Sequence, residues 1–214
     1  MDASGQLPNV ALIFPPQHAE AAAVLGRAFI NDPLISAIVG NINDPIERAA
    51  RMARLFSMIL GDHRKLGQPV AGVMHEGRVG AAAIIEQVNH VPTLITTILQ
   101  GFATGPKWIR ALGLSGLIRA ASTLDTLLRN RPTQPHLYLY VLGVEPELQR
   151  RHFGVALLDY LRHQVIQRPD LTGVYLETAT ESNVAYYSHA GYQVIGEMRP
   201  LGVRTWRMLQ PRAA

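Results

Sequence analysis

The stretch HLYLYVLGVEPELQRRHFGVALLDYLRHQV, residues 136–165, decides the fold. Leu137 to Val144 are apolar, aromatic or β-branched, the composition of a largely buried strand. Glu145-Pro146 ends it, because proline has no amide proton to give to a ladder. From Phe153 onward apolar residues return at Ala156, Leu157, Tyr160, Leu161 and Val165, which is helical spacing. Between the two lies QRRHFG, residues 149–154, a short polar loop running into a helix N-terminus. Such a terminus offers unpaired backbone N–H groups and the positive end of the helix dipole, so it can hold phosphate. Gly154 lets backbone approach a ligand closely, and Arg150 and Arg151 carry charge suited to phosphate oxygens.

Downstream, TGVYLETATESNVAYYSHAGY spans residues 172–192. A strand from Val174 to Thr178 gives way to a short helix from Asn183 to His189, and Gly191 stands at the position that closes a helix.

These residues carry a resemblance. Val144-x-Pro146-x-x-Gln149-Arg150-Arg151-His152-Phe153-Gly154-Val155-Ala156 resembles the acetyl-CoA-binding signature of the GNAT-type N-acetyltransferases. Asn183, Tyr187, Gly191 and Tyr192 stand where that family has Asn-x-x-x-Tyr on a helix and Gly-Phe/Tyr opening the next strand. The run Leu176-Glu177-Thr178, the same helix and the closing Arg204-Thr205-Trp206-Arg207-Met208 are most similar to puromycin N-acetyltransferase and its relatives. One position departs from the signature. His152 occupies the place of its first glycine, so this residue either keeps φ negative or is strained.

The resemblance implies an α/β chain of the GNAT fold, residues 1–214 as a single domain. A mixed, mostly antiparallel sheet is flanked by helices, with acetyl-CoA bound in a splayed gap at the central strand. It implies direct transfer of acetyl to an amine. Leu142, Gly143 and Val144 would present main chain to the pantetheine arm, and Gln149, Arg150, Arg151, His152, Phe153, Gly154 and Val155 would surround the pyrophosphate. Asn183 would bond the pantetheine or acetyl region; its alternative role is a helix N-cap. Tyr187 is similar to the family's general acid towards the CoA sulfur. A phenol is protonated at neutral pH and can donate, although a tyrosine simply buried with a satisfied hydroxyl is the alternative. Glu177 is the candidate base, with a pKa that should rise if it is buried. Glu145 competes with it, and His136 and His152 rank lower. No spacing reads as a metal site.

Composition sets wider bounds. At 214 residues, 48% hydrophobic and 17% charged, the chain can bury a proper core. Cysteine is absent, so thiolate chemistry plays no part. The formal charge of +4 suits an anionic cofactor. Its arginines are spread out and not clustered with aromatics, which argues against nucleic acid. No apolar run reaches bilayer-spanning length and no secretion signal is visible, so the expectation is a cytoplasmic protein with no membrane partner.

Elsewhere, Val10 to Phe14 reads as a strand, His18 to Ile30 and Leu34 to Val39 as helices, and Asp44-Pro45 as the start of a helix to Leu60. Phe29, Asp32 and Leu34 can lie near the acceptor, although core packing for Phe29 and Leu34 and a turn or cap role for Asp32 are the stronger readings. Val70 to Met74 and Val79 to Gln87 form a hairpin through His75-Glu76-Gly77-Arg78. Pro92 to Arg129 reads as two or three helices, broken at Gly105-Pro106 and again near Gly113, with Trp108, Ile109, Leu112 and Leu117 on an inner face. Arg131 to Pro135 reads as a polar linker, and two strands close the chain, Tyr192 to Met198 and Val203 to Leu209. The expected acceptor is a small, partly apolar amine, with the protein a monomer or homodimer. Acetylation of a protein N-terminus or lysine, and a non-catalytic acetyl-CoA-binding module, are the alternatives.

Overall fold

The structure is a computed structural model that describes residues 7–88 and 94–213, with residues 94–105 as helix backbone alone. The start of the expected Pro92 stretch lies outside the described residues. The strands are β1 (Val10–Leu12), β2 (Val70–His75), β3 (Arg78–Val88), β4 (His136–Val144), β5 (Gly173–Thr178), β6 (Gln193–Met198) and β7 (Thr205–Pro211). They form one sheet in the order β1-β2-β3-β4-β5-β7-β6. Among the described residues, only the β4–β5 pair is parallel.

The helices are α1 (His18–Ala28), α2 (Pro33–Val39), α3 (Pro45–Lys65), α4 (Leu94–Asn130), α5 (Phe153–Ile166) and α6 (Glu181–His189). One face of the sheet packs Ala81, Ala83, Leu137 and Leu139 against Leu157 and Leu161 of α5. The other packs Ala82, Ile84 and Val141 against α1, α3 and Leu112 of α4. The alanine run Ala81-Ala82-Ala83, poor in strand propensity, is fully buried from both sides, and that burial keeps it in the sheet.

The parallel pair is short. Only Leu137↔Val174 and Tyr138↔Tyr175 are in register. Beyond them, the β3–β4 ladder steps from Ile84↔Val141 to Ile85↔Leu139, which leaves Tyr140 as the extra residue of a bulge on β4. A bulge bends its strand and sharpens the twist. It also turns Val141 onto the α1–α4 face, whereas Leu137 and Leu139 face α5. β4 therefore diverges from β5, and the gap-side backbone of Leu142 to Val144 has no strand partner.

Several sequence expectations need correction. α4 runs through Pro106, and its backbone leaves helical geometry at Gly113, with φ 70° and ψ 171°. The proline removes a single amide donor, whereas the conformation at Gly113 is one that L side chains rarely adopt. Leu112 is buried on the inner face, but Ile109 is 44% exposed. α3 extends to Lys65, its last turn carrying His63, Arg64 and Lys65 in favourable alignment with the helix dipole. Arg131 is no linker residue, because its side chain is buried and paired with Glu86 at 3.2 Å. No single described helix is long and apolar enough to cross a membrane.

Candidate active site

The gap between β4 and β5 opens into a cleft of about 530 Å³. Its floor is Leu142, Gly143 and Val144, one end is the loop Gln149–Val155, and its far wall is α6. In that loop Arg150 and His152 both adopt left-handed backbone, each with φ 63°. His152 thus keeps the path that glycine would take, and takes the strained alternative of the two open to it. The amide of Ala156 is the first to bond back into α5, reaching the His152 carbonyl at 2.9 Å. The amides of Phe153, Gly154 and Val155 therefore have no intrahelical acceptor.

Every residue expected on the cofactor side lines this cleft except Arg151. Arg151 sits between the two left-handed residues, so the chain turns around it and leaves it exposed outside the lining. Gly154 is buried, and a Cβ there would lie 2.5 Å from the Tyr186 hydroxyl. Tyr186 is thus a cleft residue that the sequence reading missed, although it is the immediate neighbour of Tyr187. Burial raises the pKa of its phenol.

Asn183 lines the cleft but does not cap α6. The cap is Thr180, whose hydroxyl accepts from the Asn183 amide at 3.3 Å. The helix begins two residues earlier than expected, which leaves the Asn183 side chain facing the gap.

A second cavity, about 160 Å³, lies beneath α2, α3 and the second half of α4. Phe29, Asp32, Leu142, Asn183 and Tyr187 line both, so the two spaces meet at these residues. Tyr187 is 9% exposed, and burial holds its phenol well above the ordinary value of 10.0, with Tyr186 and Asp32 adding to the effect. Asp32 caps α2, its Oδ1 accepting from Ile35 N at 2.8 Å. Burial raises its pKa and the backbone hydrogen bonds oppose that rise.

Glu177, half-buried, stands in the wall of the inner cavity. Burial pushes its carboxyl above the usual range, outweighing the nearby Tyr138 hydroxyl, the Arg131 guanidinium and the Tyr175 hydroxyl, which pull it down. Its Oε1 and the Tyr175 hydroxyl are both buried without a completed hydrogen bond. Behind the same wall, Glu86 is held by His63 Nε2 at 2.9 Å and Arg131 Nη1 at 3.2 Å. Burial would raise the Glu86 pKa, but those two partners outweigh it and hold it low. Neighbouring carboxyls driven in opposite directions mark which one can exchange a proton.

The other candidate bases, Glu145, His136 and His152, do not line the inner cavity. Glu145 forms a bidentate pair with Arg27 at 2.7 and 2.6 Å and lines neither cavity. His136 is fully buried with Nδ1 2.7 Å from the Gln134 carbonyl, also away from both. His152 lines the outer cleft and not the inner cavity. Among the described residues, no group of three or more His, Asp or Glu side chains is placed to hold a metal ion.

The splayed parallel strand pair, the helix N-terminus at its end and the inner cavity behind it form one continuous site. The family model of the acetyltransferase (GNAT) family matches residues 69–192, more than half of the chain. Solved structures agree in fold. A histone acetyltransferase HPA2 and related acetyltransferase from Corynebacterium glutamicum is 19% identical with a TM-score of 0.71, covering 98% of each chain. An agmatine N-acetyltransferase is 17% identical with a TM-score of 0.57, covering 95% of this chain and 98% of its own. A ribosomal-protein-alanine N-acetyltransferase from Brucella melitensis is 14% identical with a TM-score of 0.55, covering 95% and 99%. The chain belongs to the GNAT family and is an N-acetyltransferase.

Proposed function

We propose that the outer cleft takes acetyl-CoA and that its acetyl group passes directly to the amine of a small, partly apolar molecule held in the inner cavity. The observation that carries this reading is that the two cavities meet at Asn183 and Tyr187. The outer cleft fits the cofactor's chemistry. The unpaired amides of Phe153 to Val155 and the Arg150 side chain suit a diphosphate, and the free edge of Leu142 to Val144 suits the amide groups of a pantetheine arm.

Bound acetyl-CoA supplies an acetyl group activated as a thioester. Glu177, at its buried carboxylate, takes the proton that the amine must lose before its nitrogen can attack. Tyr187 holds a proton on its hydroxyl at all ordinary pH and donates it towards the departing sulfur. The side chain of Asn183, at the junction, orients the acyl group. Asp32 is occupied as a helix cap and acts as a wall.

The inner cavity supports a small acceptor over a protein chain, because Trp108, Thr123 and Leu127 of α4 roof it. A protein N-terminus needs an open groove. The similarity to the puromycin-type enzymes lies in the C-terminal half, on the cofactor side, and leaves the choice of amine to this cavity. The left-handed His152 keeps the loop on a path open to phosphate, as an enzyme and a non-catalytic acetyl-CoA-binding module both require. Thiol release from acetyl-CoA over a panel of primary amines tests the reading: amine-dependent release supports it, and release that no small amine stimulates would count against it.

A further inference from the structure

We propose that Tyr138 is a positioning residue for acetyl transfer: held in place by Arg131, its hydroxyl steadies the inward oxygen of Glu177 and leaves the outward oxygen to the amine. This rests on the reading that Glu177 is the base.

Strand geometry brings the two side chains together. Tyr138↔Tyr175 is the last register pair before β4 and β5 diverge. Residues two apart on a strand share a face, so Glu177 stands one step beyond Tyr175 on the face that carries the Tyr138 ring. The Tyr138 and Tyr175 rings meet there, 5.7 Å between centroids.

The two oxygens of Glu177 have different surroundings. Oε1 is enclosed without a completed hydrogen bond, whereas Oε2 is neither enclosed nor bonded among the described residues. The residue lines the inner cavity and not the outer cleft. Oε2 is thus the oxygen open to a ligand, and Oε1 needs a donor from the protein. Burial raises the Glu177 pKa, and of the groups that oppose burial the Tyr138 hydroxyl acts most strongly, ahead of the Arg131 charge and the Tyr175 hydroxyl.

Arg131 fixes the ring. Its Cζ lies 3.9 Å from the Tyr138 ring centroid, and its Nη1 donates to Glu86 at 3.2 Å, while His63 Nε2 stands 2.9 Å from the other Glu86 oxygen. The Arg131 side chain is buried and its Nε is enclosed without an acceptor. The ion pair and the ring are therefore its anchors, and a flat guanidinium pinned at one end limits how the phenol beneath it can shift.

The other charged or titratable groups around Glu177 leave this role to Tyr138. Glu86 on β3 adds repulsion, and Tyr140 on β4 and Tyr175 on β5 are neutral phenols. Arg207 on β7 donates to the Asn130 carbonyl, and Asp32 at the start of α2 accepts from Ile35.

The test is a carbon NMR titration of the glutamate carboxyls, with Glu177→Gln assigning the Glu177 signal, and it needs no acceptor. Tyr138→Phe keeps the ring under Arg131 and removes one hydrogen bond to a charged group, so the Glu177 midpoint should rise by about one pH unit. Arg131→Lys keeps the charge but loses the flat stack. It should raise the midpoint in the otherwise native protein and add little in Tyr138→Phe. An unmoved midpoint in Tyr138→Phe overturns the proposal, and equal shifts for Arg131→Lys in both backgrounds overturn the part given to Arg131. If Arg131→Lys does not fold, Tyr138→Phe still decides. The acid limb of kcat/KM for phenethylamine, measured alongside, should follow the midpoint, whereas a merely structural tyrosine would lower the rate and leave the limb in place. The two levels fail differently. Unchanged turnover in Glu177→Gln removes the base itself, whereas an acid limb that vanishes in Glu177→Gln beside an unmoved midpoint in Tyr138→Phe removes only this proposal.

Discussion

Glu177 faces Arg207 across the β5–β7 ladder, yet the Arg207 guanidinium donates to the Asn130 carbonyl and leaves Glu177 without an ion-pair partner among the described residues. Arg131, the other nearby cation, is engaged by Glu86 and lies over the Tyr138 ring at 3.9 Å. The Glu86 carboxyl behind the pocket wall is held low by its charged partners, whereas burial raises the proton affinity of the Glu177 carboxyl in the wall. The second is the one free to take a proton.

Glu177→Gln should lower kcat by about a hundredfold or more, the usual contribution of a general base. Affinity for acetyl-CoA should stay close to native. Because the folded pKa is raised, native activity should fall on the acid side at a pH above the ordinary carboxylate value of 4.5. That limb should disappear in the variant, and a full pH–rate profile checks it.

Tyr187→Phe should slow turnover by about a hundredfold without loss of cofactor affinity. The phenol is held well above 10.0 by burial, so it stays protonated throughout the working range and contributes no basic limb of its own. Single-turnover kinetics with calorimetry separate the two effects, and an unchanged rate would remove Tyr187 from the chemistry.

Glu86→Gln strips the buried Arg131 of its counter-charge and should cost about 3 kcal/mol at neutral pH. For a chain of this size that is roughly 10 °C in thermal midpoint. The native Glu86 pKa is lowered, so its contribution is present above 4.5 and is lost as pH falls through the folded value. The gap between native and variant midpoints should therefore narrow in acid.

His152→Gly relaxes a left-handed residue and should raise stability by about 1 kcal/mol while keeping affinity for acetyl-CoA. Thermal unfolding with and without the cofactor measures both. A destabilised variant would mean that the imidazole contributes contacts outweighing the strain.

Much of the site was legible because it is local in sequence. The strand, the loop Gln149–Gly154 and the helix behind it follow one another, and periodicity with glycine and proline positions is enough to read them. The hairpin at Glu76-Gly77 was legible for the same reason, both residues taking positive φ. What stayed hidden depends on partners distant in the chain. Arg131 looked like a linker residue because Glu86 is 45 positions away. The Tyr140 bulge, which opens the gap, leaves no mark in an apolar run where both faces are buried. The cap alternative for Asn183 stayed open because Thr180 and Asn183 are both good capping residues, and only backbone geometry chooses Thr180.

The central claim is that the loop before α5 and the free edge of β4 hold acetyl-CoA, and calorimetric titration with acetyl-CoA tests it most directly, on the native protein and on Gly154→Val. A branched side chain at Gly154 would run into the Tyr186 hydroxyl and fill the cradle. Saturable binding by the native protein, with at least a tenfold loss in Gly154→Val, is the predicted result. Absence of native binding, or binding indifferent to that substitution, would contradict it.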